Sequence, residues 1–88
     1  MPRQIYNVKI ERAAIKDLKK LDKKIQKQIW PKIVNLASNP RPHGYQPVEN
    51  IKNGFRIRSG KYRILYTIED NILTVCVIRV RTRDKAYS

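Results

Sequence analysis

The spacing of hydrophobic positions changes repeatedly along the 88-residue chain. Over residues 4–10, Gln-Ile-Tyr-Asn-Val-Lys-Ile, the residues Tyr6, Val8 and Ile10 fall on one side of an extended segment and Asn7 and Lys9 on the other, the alternation of a half-buried strand. From Arg12 the period lengthens: Ala14, Leu18, Leu21 and Ile25 stand at i, i+4, i+7 and i+11 with mostly lysine between them, which predicts an amphipathic helix. A second stripe, Ile25, Ile29, Ile33 and Leu36, predicts a second helix with Asp22 as its N-cap and Asn39-Pro40 as its stop. Pro31 lies inside that pattern and is expected to kink it. Trp30, at helical spacing with Ile33, Val34 and Ala37, reads as a core side chain.

Residues 39–47 carry Pro40, Pro42, Gly44 and Pro47 and read as a loop. Alternation returns in Gly54–Arg58, Tyr62–Glu69 and Ile72–Arg81, separated by the short turns Ser59-Gly60 and Asp70-Asn71, so these runs are expected to be antiparallel neighbours. The fold class is therefore α+β, in the order β-α-α-β-β-β, with a helical hairpin packed on a small, mostly antiparallel four-stranded sheet. Residues 1–88 read as a single domain.

Charge sharpens this picture. Twenty Lys and Arg against seven Asp and Glu give a formal charge of +13, which favours an acidic or polyanionic partner. The longest apolar run is Val75 to Ile78, too short for a membrane span, and the first twenty residues contain no apolar block of a secretory signal. The single cysteine, Cys76, cannot form an internal disulfide and reads as a small buried hydrophobe. A cytoplasmic location is the expectation.

Lysine dominates the first half of the chain and arginine the second, and the planar arginine fork is the group that grips phosphate or carboxylate at two points. Taking Tyr62, Ile64, Tyr66 and Ile68 as the helix-facing set leaves Arg63, Leu65 and Thr67 on the opposite face. The same logic buries Phe55 and Ile57 and turns Arg56 and Arg58 outward. In the last strand it sends Thr74, Cys76, Ile78 and Val80 toward the helices and Leu73, Val75, Val77, Arg79 and Arg81 away. Five arginines are thus expected on one face, with Arg83 continuing the row and Tyr87 close behind, an arrangement suited to phosphate gripping and base stacking. Only Glu49, Glu69, Asp70 and Asp84 lie in this half to pair with them.

The stretch from Gly54 to Tyr66, Gly-Phe-Arg-Ile-Arg-Ser-Gly-Lys-Tyr-Arg-Ile-Leu-Tyr, followed by an acidic turn, an apolar strand and Arg83-Asp-Lys-Ala-Tyr87, resembles the RelE/ParE superfamily of toxin–antitoxin toxins over essentially the whole chain. The resemblance implies a small toxin restrained by an acidic antitoxin protein. RelE-like members cut messenger RNA in the ribosomal A site without metal or cofactor, by attack of a ribose 2′-hydroxyl on the adjacent phosphate; ParE-like members poison DNA gyrase. Matched by motif, Arg63 stabilises phosphate charge, Arg83 assists the leaving 5′-oxygen and Tyr87 positions the nucleotide. Arg56 and Arg58 stand where the ribonucleases often carry lysine. They can grip phosphate but cannot serve as a base, which leaves Lys52, Lys61 and Glu49 as candidates for that role. Arg79, Arg81, Lys52 and Lys61 are the further candidates for RNA contact. The alternatives are a gyrase inhibitor and a non-catalytic basic RNA-binding module.

His43, the only histidine, lies in a Pro-rich loop without a metal-ligand pattern and reads as an exposed loop residue. Glu69-Asp70 reads as a turn and not as a metal-binding carboxylate pair. Neither a metal nor a small-molecule cofactor is expected. The lysines at 16, 19, 20, 23, 24 and 27 read as a solvated helix face.

Overall fold

The computed structural model describes residues 5–82, so Arg83 and Tyr87 lie outside the described residues. Strand β1 (Asn7–Ile10) leads into helix α1 (Arg12–Lys19) and helix α2 (Lys23–Asn35). A two-residue strand β2 (Gln46–Pro47) follows, then β3 (Gly54–Ser59), β4 (Tyr62–Glu69) and β5 (Thr74–Thr82). The strands form a mixed five-stranded sheet in the order β1-β5-β4-β3-β2, with β1 parallel to β5 and the other pairs antiparallel. The count exceeds the expected four because Gln46 and Pro47 pair with Arg56 and Phe55, inside what reads in sequence as loop. Proline suits this position: on an edge strand its missing N–H leaves no gap in the ladder.

One face of the sheet carries the helices. Ala14, Leu18, Ile29, Ile33 and Leu36 from the helical stripes pack on Ile57, Ile64, Tyr66, Ile68, Val75, Val77 and Val80. The α1–α2 turn is closed by Gln26, whose Nε2 donates to the carbonyls of Leu18 at 2.8 Å and Leu21 at 2.9 Å. The Leu18 carbonyl, which also accepts from the Leu21 N–H at 3.1 Å, and the Leu21 carbonyl just past α1 are thus tied to α2. Asp22 occupies the N-cap position of α2 with extended backbone, but its side chain makes no capping bond. The helix runs continuously through Pro31. Trp30 does not enter the core: it is 39% exposed, and Val34, one turn on, is 63% exposed. The sheet covers only the Ile29–Ile33–Leu36 stripe, so a residue next to that stripe on the helix surface is left at its edge.

The hairpin β3–β4 has a two-residue tip in which Gly60 takes φ +61, a conformation that glycine adopts at no steric cost. At the far end of β4, Asp70–Ile72 form a 3-10 turn and Leu73 is left-handed with φ 47, so β5 starts at Thr74, two residues after the expected start. A clamp holds this end. Arg41 pairs both carboxylate oxygens of Asp70 at 3.1 and 2.7 Å, and the Tyr6 hydroxyl donates to the same carboxylate. Tyr66 donates its hydroxyl to the Pro40 carbonyl at 2.7 Å, and burial pushes its pKa up to about 12.

Gly54 is buried, and a Cβ there would stand 2.6 Å from Ile51 Cβ and 2.9 Å from the Ile51 carbonyl oxygen. Gly54→Ala is therefore expected to cost about 1–3 kcal/mol by overpacking the 48–54 turn, read as a lower midpoint in urea unfolding. The second test concerns Asp70, whose pKa the Arg41 guanidinium and the Tyr6 hydroxyl hold down at about 2, against 3.8 for the free group. A carboxyl depressed on folding stabilises the fold above its unfolded pKa and loses that contribution as pH falls through the folded value. Urea midpoints should therefore drop between about pH 4 and pH 2, and Asp70→Asn should flatten that slope.

Candidate functional site

The open face of the sheet is built by cross-strand register. Arg58 of β3 stands opposite Arg63 of β4, and Arg63 stands opposite Arg81 of β5, so three arginines line up across three neighbouring strands. In the next row on this face, Arg56 stands opposite Leu65, and Leu65 opposite Arg79. The sequence-derived set of five arginines is thus brought to one face.

The route by which β5 delivers its two arginines differs from simple alternation. Tyr66 pairs with Val77 but Leu65 pairs with Arg79, so Ile78 is an extra residue, a β-bulge. Before it, Val75 and Val77 point into the core, with Thr74 and Cys76 on the open face; after it, Val80 points into the core. The expectation that Thr74, Cys76 and Ile78 face the helices is corrected accordingly. Cys76 is half-buried between Lys9 and Thr67, with its Sγ 3.5 Å from Glu11 Oε1. Burial, reinforced by that carboxylate, raises its pKa.

The arginines are held unequally. Arg79 is anchored by Asp17 of α1: Nε donates to Oδ2 at 2.9 Å and Nη2 to Oδ1 at 3.0 Å, while the Val80 backbone N–H donates to the same Oδ2 at 3.0 Å. Asp17 thereby caps β5 just beyond the bulge, past the last residue paired with β1. An acid from the first half of the chain had not been expected to serve the arginine face. Arg56 and Arg81 are half-buried and each engaged in an interaction. Arg58 is exposed. Arg63 is 5% exposed, and its Nε has no hydrogen-bond partner.

Like charges directly opposite on neighbouring strands destabilise a sheet. Arginines opposite one another on neighbouring strands repel, and guanidinium cannot relieve this by losing its proton. A row with Arg63 at its centre is therefore preset for an anion with several oxygens, which can accept forked hydrogen bonds from more than one of its members.

The other candidates scatter. Lys61 is exposed at the hairpin tip, beyond the Ser59–Tyr62 rung that follows the row, with its Nζ 5.7 Å from the centroid of the Tyr62 ring. Lys52 and Glu49 are exposed in the turn before β3, beyond the end of that strand and so more than about 13 Å along it from Arg58. Among the described residues no group of three or more His, Cys, Asp and Glu could hold a metal ion. No helix among them is long and apolar enough to cross a membrane.

Replacing the central charge by an unbranched apolar side chain, Arg63→Met, is expected to raise the urea midpoint by about 1 kcal/mol equivalent at low salt and by less at 0.5 M salt, where screening weakens the row's repulsion. A lower midpoint at low salt would remove the repulsion argument.

Comparison with known proteins agrees with this geometry. Residues 8–87 match the family model of the ParE toxin of the type II toxin-antitoxin system, parDE. The chain is 31% identical over 83 residues to a RelE-like toxin protein of Escherichia coli, covering 92% of this chain and 86% of that protein. Among solved structures, the RelBE2 toxin-antitoxin complex of Mycobacterium tuberculosis superposes with a TM-score of 0.76 at 30% identity, covering 90% of this chain and 92% of the matched chain. The intact E. coli RelBE toxin-antitoxin complex gives a TM-score of 0.74 at 26% identity, covering 88% and 95%. With the helix-backed sheet and the matched stretch spanning nearly the whole chain, the protein belongs to the RelE/ParE superfamily of type II toxin-antitoxin toxins.

Proposed function

We propose that this toxin is a ribosome-dependent messenger RNA endoribonuclease of the RelE type, restrained by an acidic antitoxin. The observation that carries this reading is the Arg58–Arg63–Arg81 row, with the buried Arg63 Nε left without a hydrogen-bond partner. The chemistry is metal-independent transesterification. The ribose 2′-oxygen forms a bond to the adjacent phosphorus as the bond from phosphorus to the 5′-oxygen breaks. The products are a 2′,3′-cyclic phosphate and a 5′-hydroxyl.

In this reading Arg63 stabilises the charge that builds on the phosphate oxygens, and Arg56 and Arg58 grip the phosphate from β3. Arg81 reaches the same phosphate row, while Arg79, already paired with Asp17, contributes field more than direct contact. Arg83 assists the 5′-oxygen and Tyr87 places the base, roles carried by the motif match alone. Among the amine and carboxylate candidates for taking the 2′-hydroxyl proton, Lys61 is nearest the row and Lys52 and Glu49 are remote, so orientation of the RNA by the ribosome supplies much of the rate.

ParE in the description of the matching family keeps gyrase poisoning as the second reading. Primer extension on a translated messenger RNA separates the two. Cuts within A-site codons are expected only when ribosomes are present, with a loss of about 10²-fold or more in Arg63→Ala. Intact RNA together with inhibited DNA supercoiling would establish the gyrase reading instead.

A further inference from the structure

A groove of about 550 Å³ lies between the C-terminal half of α2, the loop 38–44 and the outer edge of β3. Pro42 and the rim of Ile57 give it apolar surface over the fully buried Leu36; Asn35, Ser38, Asn39 and His43 add amide, hydroxyl and imidazole groups; Lys32 adds positive charge, Arg58 lines it from the strand edge with its side chain on the open face, and no carboxylate lines it. The volume is that of a small-molecule site, and the mixture of apolar surface with a few neutral hydrogen-bonding groups suits a flat heteroaromatic ring. The Asn35 side-chain amide presents a donor and an acceptor together, the pattern that base edges carry, whereas the Asn39 Oδ1 already accepts from the Arg41 backbone N–H at 3.2 Å.

Arg58 joins this groove to the arginine row. The two-residue hairpin makes Ser59 and Tyr62 the hydrogen-bonded pair nearest the tip, so Arg58 and Arg63 form a non-hydrogen-bonded pair and the Arg58 backbone groups point to the outer edge. There the Lys32 Nζ donates to the Arg58 carbonyl at 2.7 Å. This contact bears on which occupant fits. An extended peptide adding to the edge would need that carbonyl, which already accepts from Lys32 of α2. A nucleotide needs no backbone acceptor from the edge and gains from both cations.

We infer that the groove is a nucleoside pocket: it takes the base and sugar next to the phosphate held at Arg58, from an RNA strand that crosses the outer edge of β3, and so biases which base stands beside the bound phosphate. The inference rests on the RNA-binding reading for its substrate class, but it is tested on the full-length protein without ribosomes.

Amide chemical shifts would be followed while the protein is titrated with each of the four nucleoside 5′-monophosphates and, separately, with inorganic phosphate. The mononucleotides are expected to shift Asn35, Ser38, Asn39, His43 and Gly44, with affinities that differ by about tenfold between bases, and inorganic phosphate is expected to leave those residues unmoved. The double substitution Asn35→Ala, His43→Ala should weaken the preferred mononucleotide by about tenfold without altering the response of Arg58 to phosphate. Equal affinities for all four bases, or shifts confined to the arginine row, would overturn the pocket. So would an oligoglutamate peptide that perturbs the groove more strongly than any nucleotide, since it would mark an acidic-protein site. Absence of ribosomal cleavage alongside base-dependent shifts would overturn the ribonuclease reading and leave the pocket standing.

Discussion

A single extra residue in β5 reconciles two demands that a regular strand could not meet. Val75, Val77, Arg79 and Arg81 occupy alternate positions, so strict alternation would send all four side chains to the same face. Burying the valines would carry two guanidinium groups into an apolar core at a cost of several kcal/mol each. The bulge at Ile78 turns the strand over between the two pairs, so Val75 and Val77 pack under the helices while Arg79 and Arg81 join the arginines of β3 and β4. Asp17 secures the strand just beyond this irregularity through the Arg79 guanidinium and the Val80 N–H. The core and the charged face are products of the same register shift.

Electrostatics treats the arginines of the molecule in two ways. At one end Arg41, Asp70 and Tyr6 form a closed cluster, with the Arg41 guanidinium also 6.0 Å from the centroid of the Phe55 ring. That arginine belongs to the scaffold. Arg63 is the contrasting case, buried with its Nε lacking a hydrogen-bond partner and with an arginine opposite it on each neighbouring strand, and such local conflicts concentrate at functional sites. The helix lysines at 16, 19, 20, 23, 24 and 27 are all exposed and add to the long-range field without entering either cluster.

Much of this was legible in the sequence because period and charge type are local properties. The helical stripe of Ala14, Leu18, Ile29, Ile33 and Leu36, the strand pattern of β4 and the outward arginines of β3 follow from spacing alone. The five-arginine face was also legible, although for β5 the alternation was counted through Ile78 and assigned Thr74 and Cys76 to the wrong side. A bulge leaves no composition signal, because any residue can be the extra one. Asp17 was missed for a related reason: its partner stands 62 positions away, and an acid on a helix does not announce which strand it will reach. Trp30 failed on amount of cover, since helical spacing says which residues share a face but not how wide a surface the sheet can hide. The groove beside Arg58 was not legible at all, because it is assembled from a helix end, a loop and a strand edge that meet only in three dimensions.

The parallel pairing of β1 with β5 joins Asn7 to Thr74 and Ile10 to Val77, so among the described residues β1 finds its partner only in β5, made much later. During synthesis α1 and α2 emerge with nothing to cover their apolar stripe, and β4 waits for the neighbour that supplies Arg81. Chain closure over such a separation is slow relative to local helix or hairpin formation. A nascent chain therefore carries the lysine-rich helices and the β3 arginines well before the three-strand row exists. The three-arginine row therefore exists only once β5 has joined β4.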